Sequence, residues 1–240
     1  MVIHGLSKLT LLDYPEHLAC TVFTGACNFR CPYCHNASLV LEPHKCPIIS
    51  EDEFFEFLKS RKGKLEGVCI TGGEPTLQKD LPEFIEKIRH LDFKVKLDSN
   101  GYKPDILWDL IRSEAVDMIA MDVKNCKEKY AMTIGIANDA FDVDEIDRSI
   151  QMLKSTGIKH EFRTTVVREL HELSDMEKIA EWIAGDSPYF LQAYKEADDV
   201  IYKFEDSHEP FSCYTEIEMQ RLLGAVRRYV PNAHIRGEEN

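Results

Sequence analysis

Six runs rich in apolar and β-branched residues recur along the chain: LACTVFTG (18–25), EGVCITGG (66–73), FKVKLDSNG (93–101), VDMIAMDVKN (116–125), KHEFRTTVV (159–167) and YFLQAYK (189–195). Each has strand length, and each is followed by a stretch in which apolar residues return every three or four positions, as on a helix face. Helix starts carry their own marks. Ser50 with Glu53, Ser174 with Glu177, and Thr215 with Glu218 have capping-box spacing. Pro104 suits the first turn of a helix running to Ser113, and Gly157 stops the helical pattern DVDEIDRSIQMLKST. Beyond a last helix over 215–230 only PNAHIRGEEN remains, where HIRG reads as a short added strand and the charged end as solvated.

The alternation predicts six strand–helix units, hence an α/β fold with a parallel sheet and right-handed crossovers. An open doubly wound sheet and an incomplete β/α barrel both satisfy the local pattern. Either one places ligands at the carboxyl ends of the strands. No Pro-, Ser- or Gly-rich linker interrupts the chain, which predicts a single domain over 1–240.

Composition narrows the function. The 240 residues are 44% hydrophobic and 30% charged, with a formal net charge of −13. That balance speaks against a broad nucleic-acid or anionic-membrane surface. No apolar run approaches the length of a bilayer span, and MVIHGLSKLTLLDYPEH lacks the pattern of a signal peptide, so a cytoplasmic location is expected. Of eight cysteines, Cys27, Cys31 and Cys34 crowd into eight positions, while Cys20, Cys46, Cys69, Cys126 and Cys213 are scattered. Such crowding points to metal or catalysis rather than crosslinking.

The strand ends carry the polar residues. The first run leads into CNFRCPYC, the second ends in TGGEP (71–75), the third in DSNG (98–101) and the fourth in DVKN (122–125); the last two contain Arg163 and Gln192. Three thiolates at C-x3-C-x2-C spacing can hold three irons of a [4Fe–4S] cubane and leave the fourth iron open. The rival is a structural zinc site completed by His35, His44 or Cys46, which would make the protein a non-enzymatic interaction module.

C-x3-C-x2-C with Tyr33 before the last cysteine, followed by Gly-Gly-Glu-Pro after the second strand, resembles the radical S-adenosylmethionine (radical SAM) superfamily. CNFRCPYCHN, DSNG and DVKN are similar to its glycyl-radical-enzyme activating enzymes. LTLLDYPEHLACTVFTGACNFRCPYCHN looks most like the activating proteins of anaerobic ribonucleoside-triphosphate reductase. The resemblance implies a partial (β/α)6 TIM-like barrel. It implies a [4Fe–4S] cluster on Cys27, Cys31 and Cys34, with S-adenosylmethionine (SAM) on the open iron. The partner it implies is a glycyl radical enzyme, with flavodoxin or ferredoxin as electron donor. A small molecule or a tRNA base is the alternative substrate.

Roles for other residues follow from the same resemblance. Gly72 and Gly73 would let backbone approach the methionine end of SAM, and Glu74 would bond that region or hold the loop. Asp98 and Asn100 would serve SAM. Asp98, Ser99 and Asp122 are also candidate ligands of a monovalent cation. Lys124 would meet the SAM carboxylate, or form a surface ion pair instead. Arg163 is costly inside a strand unless paired, either by a bound carboxylate or by Asp122 or Glu161. Gln192 is a candidate inward position on the last strand, and Tyr33 would offer backbone contacts to adenine.

Overall fold

A computed structural model describes residues 1–205 and 210–237. In chain order the elements are β1 (Ile3–Thr10), β2 (Ala19–Thr24), α1 (Ala37–Leu41), α2 (Glu51–Ser60), β3 (Gly67–Gly72), α3 (Leu81–Arg89), β4 (Lys94–Ser99), α4 (Pro104–Arg112), β5 (Met118–Asp122), α5 (Tyr130–Thr133), α6 (Val143–Thr156), β6 (Lys159–Val166), α7 (Leu173–Trp182), β7 (Tyr189–Ala193), α8 (Ile201–Glu205), α9 (Glu216–Val226) and β8 (Ala233–Arg236), with short 3-10 turns between some of them. One sheet orders the strands β1 to β8 as they occur in the chain. β1 pairs antiparallel with β2, and every later pair is parallel. A doubly wound sheet reverses its strand order at a switch point; this one does not, so it is the partial barrel.

The six expected strands are β2 to β7. HIRG becomes β8 over Ala233–Arg236, while the charged end at 238–240 lies outside the described residues. β1 was not anticipated. Its sequence, IHGLSKLT, buries Ile3 but leaves the other positions half-buried or exposed, so its apolar signal is thin.

Strand periodicity sorts side chains into two faces. Val68, Ile70, Val95, Leu97, Ile119, Met121, Phe162 and Val166 face the helices and belong to one buried cluster. Phe54 and Leu58 of α2 and Phe84, Ile85 and Ile88 of α3 meet them from outside, and the Phe54 and Phe84 rings lie 5.3 Å apart. Each such fully buried side chain contributes about 1.5–3 kcal/mol. The opposite face is polar: Cys69 lies across from Lys96, Asp98 from Ala120, Ala120 from Glu161, and Asp122 from Arg163.

The helix ends follow the sequence with one exception. Ser50 accepts from the Glu53 N–H, Thr215 and Glu218 cap each other reciprocally, and Gly157 takes a left-handed conformation (φ 73°) after α6. Before α7 the capping box uses Glu172 and Asp175 rather than Ser174 and Glu177. A glutamate was overlooked there because it is an uncommon cap, yet its carboxylate accepts the same N–H.

Candidate active site

The loop after β2 carries the three cysteines and is fastened at both ends. The Ala26 N–H donates to the Leu39 carbonyl and the Arg30 N–H to the Ile134 carbonyl, both at 2.8 Å. The Arg30 guanidinium folds back onto the carbonyls of Cys27 (2.6 Å) and Phe29 (2.8 Å). From the far end of the chain, the N–H groups of Ile201 and Tyr202 donate to Cys34 and Pro32, and the Asp199 carboxylate accepts from the Ser38 N–H and hydroxyl.

This loop and the ends of β3 to β6 enclose a cavity of about 210 Å³. Cys27, Cys31, Tyr33, Cys34, Gly72, Gly73, Glu74, Asp98, Ser99, Asn100, Asp122 and Lys124 line it, with His35, Asn36, Thr71 and Thr165 beside them. The structure therefore brings together all the candidates for the cluster, SAM and cation except Arg163 and Gln192. Arg163 sits below the cavity, where its Nε donates to Asp122 Oδ1 at 2.8 Å and its Nη1 to Asp98 Oδ2 at 3.0 Å. The Asp122 partner was expected. Glu161 instead pairs with Arg236 of β8 through two contacts of 2.9 and 3.0 Å. Gln192 shares a ladder position with Thr165 but does not reach the cavity.

The glycines of TGGEP line the cavity and also have a packing reason of their own. A Cβ on Gly73 would stand 1.8 Å from the Ala26 carbonyl oxygen, and one on Gly72 (φ 114°) would stand 2.4 Å from Thr24 backbone. They let β3 press against the cysteine loop. Glu74 holds the loops. Buried at 1% exposure, it accepts from the Thr76 N–H and hydroxyl, the Ser99 hydroxyl and the Asn100 N–H. Burial raises its pKa against the pull of those donors.

The charged residues form a chain. Lys96 pairs with Asp98, Asp98 with Arg163, Arg163 with Asp122, and Asp122 Oδ2 with Lys124 Nζ at 3.0 Å. Burial pushes the Asp122 carboxyl up, but Arg163 and Lys124 outweigh it and bring its pKa down to about 2. Asp98 is lowered in the same way by Arg163 and Lys96. Burial acts to lower the Lys124 pKa; Asp122 reverses this and holds the ammonium charged. The Ser99 hydroxyl is turned to Glu74, away from the two aspartates.

Several contributors were missed. Asn36 donates to the Gly72 carbonyl at 2.8 Å, joining the first and second motifs. Asn28 accepts from Asn100 at 2.9 Å. Lys96 had a readable cue, since Lys94, Lys96 and Asp98 share one strand face at period two.

The donor set fits an iron–sulfur cluster. Three thiols line one cavity, yet among the described residues no three His, Cys, Asp or Glu side chains converge closely enough for a single ion. His44 and Cys46, offered as zinc ligands, lie outside the cavity, and Cys46 Sγ turns to the Glu42 carbonyl. Burial raises the thiol pKa of Cys27 to about 11 and of Cys31 to about 12, and also raises that of Cys34. The remaining lining is polar: the Lys124 ammonium, paired with Asp122, borders the cavity beside the TGGEP backbone. The Tyr33 hydroxyl is buried without a hydrogen-bond partner among the described residues, and its ring packs edge-on against Phe211.

The profile of the radical SAM superfamily matches residues 21–183. A Methanocaldococcus jannaschii protein, provisionally named a glycyl-radical enzyme activating enzyme, is 31% identical over 98% of this chain and 95% of its own length. The GTP 3′,8-cyclase of Nautilia profundicola is 30% identical over 62% of this chain and 47% of its own. Among solved structures, a radical SAM methyltransferase from Sphaerobacter thermophilus superposes with a TM-score of 0.71 at 14% identity, covering 93% of this chain and 67% of that one. The three-cysteine cavity at the strand ends of this partial barrel thus stands in a chain that belongs to the radical SAM superfamily, whose enzymes work with a [4Fe–4S] cluster and SAM.

Proposed function

We propose that the protein activates a glycyl radical enzyme by removing a hydrogen atom from a backbone glycine of that partner. The observation that carries this reading is the end-to-end similarity to a protein named as such an activator, which spans 98% of this chain. The cavity's lining supports the chemistry. When bound, the reduced cluster would supply one electron to the sulfonium of SAM, whose C–S bond would break to give methionine and a 5′-deoxyadenosyl radical able to take a hydrogen atom.

The chain's own residues hold and orient. Cys27, Cys31 and Cys34 ligate iron. Lys124, kept charged by Asp122, meets the carboxylate of SAM, and the rim of TGGEP and Asn36 shapes the place for its amino group. Glu74 ties the TGGEP and DSNG loops into one rigid edge, so that edge need not be ordered when SAM arrives. Tyr33, Phe29 and Val40 keep water from the reacting bond. A nucleotide substrate is the second reading, supported by the similarity to GTP 3′,8-cyclases.

The test is an electron paramagnetic resonance spectrum of the reduced, reconstituted protein mixed with SAM and a glycyl radical enzyme from the same source. A glycyl doublet that requires Cys31 supports the activase. SAM cleavage without a glycyl radical, but coupled to turnover of GTP, would replace it with the second reading.

A further inference from the structure

Five charged side chains run through the barrel in alternating sign: Lys96, Asp98, Arg163, Asp122, Lys124. Each carboxylate oxygen has its own cation. Asp98 Oδ1 faces Lys96, Asp98 Oδ2 faces Arg163 Nη1 at 3.0 Å, Asp122 Oδ1 faces Arg163 Nε at 2.8 Å, and Asp122 Oδ2 faces Lys124 Nζ at 3.0 Å. Lys96 closes the blind end. It is 1% exposed, does not line the cavity, and besides Asp98 its ammonium lies 4.0 Å from Cys69 Sγ. A lysine buried this completely persists only when paired.

We propose that Lys96 is a positioning residue that acts as the built-in counter-ion of Asp98, so that SAM binding in this protein needs no added alkali cation. Without Lys96 the remaining four charges cancel, and Asp98 Oδ1 loses its cation and is left with the weak Cys69 Sγ–H donor at 3.7 Å. Its carboxylate would then compete for Arg163, Arg163 would release Asp122, and Asp122 would draw Lys124 away from an incoming carboxylate. With Lys96 the chain carries one net positive charge, delivered at Lys124. The cation expected on Asp98, Ser99 and Asp122 finds all four carboxylate oxygens engaged and the Ser99 hydroxyl committed to Glu74. The proposal rests on the use of SAM and not on the activase reading.

The test compares wild type, Lys96→Ala and Lys96→Met in KCl and in tetramethylammonium chloride at equal ionic strength. Melting of the protein and SAM affinity of the reconstituted protein are both measured. For wild type, both should be the same in the two salts. Lys96→Ala leaves space and a carboxylate oxygen without a cation. It should melt lower and bind SAM about tenfold more weakly in tetramethylammonium, and recover in KCl. Lys96→Met fills the space, so its loss should persist in both salts. A potassium requirement in wild type would overturn the proposal, as would a Lys96→Ala variant whose loss potassium does not relieve. Should Lys96→Ala fail to fold in both salts, wild-type affinity in Lys96→Met would overturn it. Wild type that binds no SAM would count against the proposed function, while the melting comparison would still judge Lys96.

Discussion

Burial favours the protonated form of the Cys27, Cys31 and Cys34 thiols, so binding iron there would release protons. Replacing any of the three by Ala should abolish the iron–sulfur absorbance after anaerobic reconstitution, whereas Cys46→Ala should keep it. Full cluster loading in Cys31→Ala would mean the ligands were miscounted. The same spacing made the cysteines legible in sequence. What Gly73 does was not legible, because its neighbour Ala26 is distant in sequence and the reason for glycine is that carbonyl, 1.8 Å from where a Cβ would lie. Gly73→Ala should cost about 3 kcal/mol, at the upper end of overpacking penalties, read by denaturant unfolding. Asp122 gives a pH signature. Its folded pKa of about 2 lies below the ordinary 3.8, so its stabilising effect is present above the ordinary value and is lost as pH falls from 3.8 toward 2. Wild type should therefore lose stability through that window more steeply than Asp122→Asn, and acid-unfolding curves that run parallel would contradict this.

At the scale of elements, β2 to β7 were legible because buried parallel strands read as apolar runs and their crossover helices carry caps. β1 was not, since an edge strand half in water leaves a weak pattern. The partners of the interior charges were also hidden. Period two tells which face Lys96, Asp98, Glu161 and Arg163 occupy, but only strand order tells that β4 and β6 flank β5 and that β8 brings Arg236 to Glu161. The Thr215–Glu218 box opens α9, which contributes no residue to the cavity lining. Thr215→Ala should lower stability by about 1 kcal/mol and leave SAM cleavage unchanged. A loss of cleavage matching the loss of the cap would show that α9 shapes the site.

For the whole molecule, an acidic chain with net charge −13 encloses a barrel interior in which lysine and arginine outnumber aspartate along the Lys96–Lys124 chain. Among the described residues no helix is long and apolar enough to cross a membrane. The sheet order sets all the strand-end motifs on one rim, and that single fact makes one cavity out of residues that lie as far apart in sequence as Cys27 and Thr165. The account stands or falls on reductive cleavage of SAM there. The most direct measurement is anaerobic reconstitution with iron and sulfide, reduction in the presence of SAM, and assay of 5′-deoxyadenosine, with and without a glycyl radical enzyme. Product that vanishes in Cys27→Ala, Cys31→Ala and Cys34→Ala is the predicted result. A colourless protein that binds one zinc per chain and leaves SAM intact would contradict it.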